Sequence, residues 1–228
     1  MPLRLVPQRD RKLNRILADG ESVALSRGEV LFEVADAADR LWVVREGHLR
    51  LVLPCRRGGE GRTVALAGPG ELFGVEALVD GSSRSYQAVA GEAARVTGAD
   101  GATTLRGLRG TVHTLPLLLN ALREDLLRSR WSPPGAGGPS TAERLADLLL
   151  ELASRFGQWN GKEVRVPHWF THGVLGDLAG AHRSTVTTVL NDWIYEGVLE
   201  EGSEALVIAR ASELEARSSG REGWMARR

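Results

Sequence analysis

Residues 132–140 read SPPGAGGPS, with three prolines and three glycines in nine positions. Proline removes a backbone donor and fixes φ, and glycine adds backbone entropy, so neither a helix nor a central strand runs through such a stretch. The chain is therefore expected to form two bodies joined here. Upstream, short apolar stretches recur: Val30-Leu31-Phe32, Leu41-Trp42-Val43-Val44, Leu49 to Leu53, Thr63 to Leu66 and Tyr86 to Ala90. Glycine-bearing turns separate them, among them Ser26-Arg27-Gly28, Glu46-Gly47, Gly68-Pro69-Gly70 and Asp80-Gly81. Short strands at this spacing predict an antiparallel sandwich or barrel. His48 to Leu53 alternates with period two, the mark of a strand with one buried face.

Between the strands and the linker, Val112, Leu115, Leu119, Leu122 and Leu126 step by 3, 4, 3 and 4, which places them on one helical stripe. Pro116 belongs in a first turn, so the firm helix is expected over about 116–131. A helix that covers its own barrel and a helix that pairs with a second copy both fit this stripe. Beyond the linker, Ser140 or Thr141 can cap a helix with Glu143 and Arg144 in its first turns. Leu145, Leu148, Leu149 and Leu152 give that helix an apolar face, and a short Val164-Arg165-Val166 strand ends at Pro167. The expected organisation is a strand-rich domain over 1–110, a helix over 111–131, the linker over 132–140 and a second domain over 141–228.

Residues 171–193 read THGVLGDLAGAHRSTVTTVLNDW. Thr171 is an N-cap candidate, and Val174, Leu175, Leu178 and Ala179 give a short helix one buried face. Gly180 breaks it, as a tight helix–helix turn requires. A second helix begins near His182, with Val186, Val189, Leu190 and Trp193 as its buried stripe. Ser184, Thr187, Thr188 and Asn191 point the other way, flanked by Arg183 near the N-terminus. That inventory reads base edges and phosphates, although spacing alone is equally compatible with a solvated face. Val198-Leu199, an acidic turn and Leu206-Val207-Ile208 then form a hairpin, completing a winged helix.

The stretch LAGAHRSTVTTVLNDWIYEGVLE resembles the winged helix-turn-helix of the Crp/Fnr family of bacterial transcription regulators. Arg45-Glu46-Gly47-His48-Leu49, Gly68-Pro69-Gly70-Glu71-Leu72-Phe73-Gly74 and Arg84-Ser85 resemble that family's cyclic-nucleotide-binding-type β-roll. The resemblance runs from about residue 15 to 210. It implies an α+β fold: an N-terminal antiparallel β-roll, a long dimerisation helix and a C-terminal winged helix-turn-helix. It also implies a homodimer on an inverted-repeat operator in double-stranded DNA, with RNA polymerase as a further partner. Leu115, Leu119, Leu122 and Leu126 would form the dimer interface. Arg183 would be the main base-reading residue, with Ser184, Thr187, Thr188 and Asn191 on the recognition face and Thr171 and His172 at phosphate positions.

In nucleotide-binding members a Gly-Glu pair holds the ribose and an Arg-Ser pair the cyclic phosphate. The counterparts here are Gly74, Val75, Glu76, Arg84 and Ser85, so the ribose-binding carboxylate is replaced by Val75 or displaced by one position to Glu76. The resemblance thus leaves a phosphate half without a clear sugar half, and a small anion other than cyclic AMP, or no ligand, as the expectation. LFGVEAL also resembles the cyanobacterial nitrogen-control regulators, which respond to 2-oxoglutarate; Arg123 or Arg128 would then supply a cation over the pocket.

Charge and cysteine content trim the alternatives. Lys plus Arg and Asp plus Glu both number 29, so any cationic DNA surface must be local. Residues 168–196 carry Arg183 against Asp177, Asp192 and Glu196, and the wing carries Glu200, Glu201 and Glu204. Modest, strongly salt-dependent affinity is expected, with Arg128, Arg130, Arg144, Arg155, Lys162 and Arg165 as nearby cations. The single cysteine, Cys55, leaves no internal disulfide and no iron–sulfur site, and a haem or metal centre is not expected. A cupin-like metal enzyme needs clustered histidines, and the barrel contains only His48; no enzyme is expected. No run approaches a membrane span and the N-terminus has no apolar core, so a cytoplasmic protein is expected. The competing reading is a ligand-binding β-roll that signals through protein partners.

Overall fold

The computed structural model describes residues 19–55, 61–78, 83–108, 138–160, 163–167, 170–203 and 205–219. The expected helix over 116–131, with Leu115, Leu119, Leu122, Leu126 and Arg123, lies outside the described residues, as do positions 132–137 of the linker. The chain divides into two compact units, Pro2–Arg130 and Trp131–Arg228.

Among the described residues of the N-terminal unit, eight strands form two antiparallel sheets. They are β1 (Glu21–Leu25), β2 (Val30–Phe32), β3 (Arg40–Glu46), β4 (Leu49–Leu53), β5 (Arg62–Ala67), β6 (Leu72–Phe73), β7 (Gln87–Ala90) and β8 (Ala94–Asp100). The sheet orders are β1-β8-β3-β6 and β2-β7-β4-β5. Phe32, Trp42, Val44, Leu49, Leu51, Phe73 and Val96 belong to one apolar core. Leu41 and Val43 on β3 are fully buried too, which explains the unbroken apolar run there. Helix α1 (Gly101–Leu108) and a 3-10 turn over Val75–Leu78 pack against β3. The period-two reading of His48–Leu53 holds only over Leu49–Leu51, since His48 is buried as fully as Leu49. A bulge between Leu51 and Val52 shifts the pairing with β5, so Val52 is buried and Leu53, which strict alternation would bury, is exposed.

The C-terminal unit begins with α2 (Thr141–Phe156). Ser140 caps it: its Oγ accepts from the Glu143 N–H, and the Glu143 carboxylate accepts from the Ser140 N–H. Helix α2 buries Leu145, Leu149, Leu150 and Leu152, whereas Leu148, expected on this face, is half-buried. Strands β9 (Gln158–Trp159) and β10 (Val164–Pro167) precede α3 (His172–Ala179) and α4 (Arg183–Tyr195). Strands β11 (Leu199–Glu201) and β12 (Ala205–Ile208) form the hairpin, and α5 (Ala211–Ala216) follows. The sheet order is β11-β12-β10-β9, antiparallel throughout. No helix among the described residues is long and apolar enough to cross a membrane.

Candidate DNA-binding and effector sites

The helix-turn-helix is set by three local devices. Thr171 caps α3, its hydroxyl accepting from the Val174 N–H at 3.3 Å. Gly180 ends α3 in the left-handed conformation, and the Ala181 N–H returns to the Gly176 carbonyl at 2.8 Å. Gly176 is itself required by close approach, because a Cβ there would stand 2.7 Å from the Ala181 carbonyl oxygen. Helix α4 then starts after His182 and buries Val186, Leu190 and Trp193, with Val189 half-buried.

The face left to solvent carries Arg183, Ser184, Thr185, Thr188 and Asn191. Thr188 donates to the Ser184 carbonyl at 3.1 Å, which leaves its oxygen free to accept. Thr187 is placed differently. It is half-buried, donates to the Arg183 carbonyl at 3.0 Å and lies 2.8 Å from His172 Nδ1. Its one hydroxyl proton is committed to Arg183, so Nδ1 of His172 is the donor in that contact. His172 and Thr187 therefore tie α3 to α4, a link that neither residue's sequence position announced. Thr171 is exposed at the start of α3.

Those of the expected DNA-attracting cations that lie among the described residues are engaged elsewhere. Arg144 is buried: Nε donates to the Ala179 carbonyl at 2.9 Å, Nη1 to Pro139 at 2.6 Å and Nη2 to Gly180 at 3.3 Å. It is a structural clamp on the turn rather than a surface charge. Arg155 pairs with Glu151, and Arg165 with Glu163. Arg210 pairs with Glu213, and Arg217 with Glu196. Arg128, Arg130 and Lys162 lie outside the described residues. Among the described residues of this unit, Arg183 is the one arginine whose guanidinium meets no partner.

In the N-terminal unit the candidate effector residues gather beside β3. Gly74 takes φ +75°, and a Cβ there would stand 2.7 Å from Arg84 Nη1. The Gly74 N–H donates to the Tyr86 hydroxyl at 2.9 Å. Arg84 is 2% exposed. Its Nη2 donates to the Arg40 carbonyl at 2.6 Å, and Nη1 donates to Glu76 Oε1 at 3.2 Å and to the Gly74 carbonyl at 3.4 Å. The guanidinium also lies 4.2 Å from the Phe32 ring centre. Val75 is buried and Ser85 exposed. A cyclic nucleotide fits these residues poorly: the guanidinium already faces a carboxylate, and of the two positions offered for a ribose-binding carboxylate, Val75 holds a buried isopropyl group and Glu76 is engaged with Arg84.

Comparison with known proteins agrees with both halves. Residues 22–106 match the cyclic nucleotide-binding domain family, and residues 143–217 match the Crp-like helix-turn-helix domain family. The Cyclic AMP receptor protein of Thermus thermophilus is 34% identical over 198 residues, covering 83% of this chain and 84% of that protein. This chain belongs to the Crp/Fnr family. A CRP-like cAMP-activated global transcriptional regulator of Mycobacterium tuberculosis is 26% identical over 200 residues, covering 87% of this chain and 88% of that protein. The crystal structure of a CRP/FNR-family transcriptional regulator from Thermus thermophilus superposes with a TM-score of 0.66 at 25% identity, covering 88% of this chain and all of that one. As a Crp/Fnr member the chain is a DNA-binding transcriptional regulator of a non-enzymatic family, with a cyclic-nucleotide-binding-type domain and a helix-turn-helix.

Proposed function

We propose that the protein acts as a homodimer on an inverted-repeat operator, and that its β-roll senses a small molecule other than cyclic AMP. Arg183 carries the DNA half of this reading. It stands unpaired at the N-terminus of an exposed helix, the end that recognition helices aim at base edges. Arginine pairs best with the O6 and N7 of guanine, a contact worth about 1–3 kcal/mol of discrimination. Each half-site is expected to hold a guanine, with half-sites about 34 Å apart. Selection from a random DNA pool should return a palindrome, and Arg183→Ala should relax preference at that guanine. A pool without a palindrome, or a motif unchanged by Arg183→Ala, would overturn the reading.

The effector half rests on Val75. An isopropyl group cannot accept from a ribose hydroxyl, and losing a charge-assisted hydrogen bond costs about 1.5–3 kcal/mol, roughly ten- to a hundredfold in affinity. Isothermal calorimetry with micromolar cyclic AMP should detect no binding. The effector would act by shifting the population between two arrangements of the recognition helices.

A further inference from the structure

The family's β-roll recognises an anion through one arginine, and in this chain that arginine has acquired an anion of its own. We propose that Glu76 is a built-in counter-ion that fills the place of an effector's phosphate, so that it sets which ligands the β-roll accepts and excludes phosphate-bearing ones. The proposal rests on the β-roll being the effector domain, but on nothing about DNA.

Three observations carry it. Glu76 sits in the 3-10 turn directly after Gly74, two residues along the chain from the close approach to Arg84 Nη1. Its carboxylate accepts from that nitrogen, and its side chain is only 17% exposed beside a guanidinium that is 2% exposed. The pair is therefore largely withdrawn from water, where a charge-assisted contact is least screened. Arg84 is fixed from the other side too. Its main chain is held by the 35–36 turn, the carbonyl accepting from the Ala35 N–H at 2.9 Å and the N–H donating to the Asp36 carbonyl at 2.8 Å, while the guanidinium is anchored on the Arg40 carbonyl.

Two side-chain donors beside the pair are left without acceptors. Arg84 Nε and Trp42 Nε1 are both buried and have no partner among the described residues. Trp42 lies alongside, its Cδ1 3.3 Å from where a Cβ of Gly74 would be. A phosphate arriving here would bring a second negative charge against Glu76. A neutral ligand offering a carbonyl or hydroxyl oxygen would bring no such repulsion. Glu76 thus accounts for the phosphate side of the exclusion, as Val75 does for the sugar side.

Inorganic phosphate separates the two, since it has no ribose for Val75 to reject. The full-length protein and its Glu76→Gln variant would be titrated with inorganic phosphate and, separately, with cyclic AMP. Gln keeps an acceptor oxygen for Arg84 and removes the charge. The variant is expected to bind phosphate at least about tenfold more tightly than the wild type, the range of one charge-assisted bond. Val75→Glu with Glu76 retained is expected to gain nothing toward phosphate. Equal phosphate affinity in wild type and Glu76→Gln, or no binding by either, overturns the proposal. Should Glu76→Gln fail to fold, the wild type still tests it: the Arg84 side-chain N–H resonances must not move on adding phosphate, and a saturable shift refutes the built-in counter-ion. None of these readouts involves DNA, so an operator that proves non-palindromic leaves them standing, and their failure leaves the DNA reading standing.

Discussion

Arg144 sits one turn into α2 and carries its charge into a site that is 9% exposed. Helical spacing gave it no place on the apolar face, and its charge suggested a DNA-facing surface. The structure uses that charge to hold the carbonyls of Ala179 and Gly180, the last groups of α3, which a helix C-terminus otherwise leaves without partners. Arg144→Met should destabilise the C-terminal unit by about 2–4 kcal/mol, because charge-assisted bonds are lost and buried carbonyls are orphaned. Arg144→Lys should recover only part, since one ammonium cannot span the same fork. Thermal melting checks this, and an unchanged midpoint in the Met variant would refute the clamp. His48 is another buried ionisable residue with a consequence. Burial holds its imidazole below the usual 6.5, against the opposing hydrogen bond and charge of Glu92, while Arg50 and Arg27 lower it further. A depressed folded value means that the unfolded chain takes up the proton first. The stability His48 contributes is thus fully present above pH 6.5 and is lost as pH falls through the folded value. The unfolding midpoint of the N-terminal unit should fall between pH 7.5 and 5.5, about those two bounds bracketing the free imidazole. A histidine NMR titration placing His48 at or above 6.5 would reverse the sign.

At the scale of elements, the helix-turn-helix was the most legible part of the chain. Thr171, Gly180 and His182 each act through the residue itself or its nearest neighbours, so sequence position suffices to place them. The strands were legible as stretches but not in register. The bulge at Leu51 and Val52 depends on how β4 meets β5, a partner distant in sequence, and so alternation alone puts Leu53 on the wrong face. The candidate effector site was half legible: Arg84 and Glu76 were recognisable as its parts, but their mutual pairing depends on where the turn after Gly74 points. Gly176 carried a signal that was available and unused, a glycine inside a short helix four residues before the turn. Its substitution tests how tightly the element is built. Gly176→Ala forces the turn apart at the Ala181 carbonyl and should cost about 1–3 kcal/mol, the usual range for overpacking. Because it displaces α4 as a body, it should weaken binding to all DNA sequences alike, unlike Arg183→Ala. Parallel shift assays on operator and scrambled DNA check this; a loss confined to the operator would place Gly176 in base readout instead.

At the scale of the whole molecule, assembly and charge decide how DNA is met. In the proposed dimer the Leu115–Leu126 stripe pairs across a two-fold axis, so Leu122→Glu should yield monomers in sedimentation, and a variant that stays dimeric would move the interface elsewhere. Charge is the sharper test. The chain is neutral overall, yet residues 138–219 carry seven Lys and Arg against twelve Asp and Glu. Surface pairing leaves few cations free for phosphates, since Arg155, Arg165, Arg210 and Arg217 each face a carboxylate and Arg144 is buried. The strong salt dependence expected from the sequence assumed that these cations were free for phosphates. Each phosphate neutralised contributes about −0.9 to the slope of log K against log salt. With Arg183 the one unpaired described arginine in the C-terminal unit of each protomer, the slope should be shallower than about −4, and affinity should rest on base contacts and on neutral donors such as Thr171. Fluorescence anisotropy with operator DNA across a salt series measures it directly. A slope steeper than about −6 would mean that six or more phosphates are neutralised, which requires Arg128, Arg130 and Lys162, or arginines released from their carboxylates, to reach the DNA backbone.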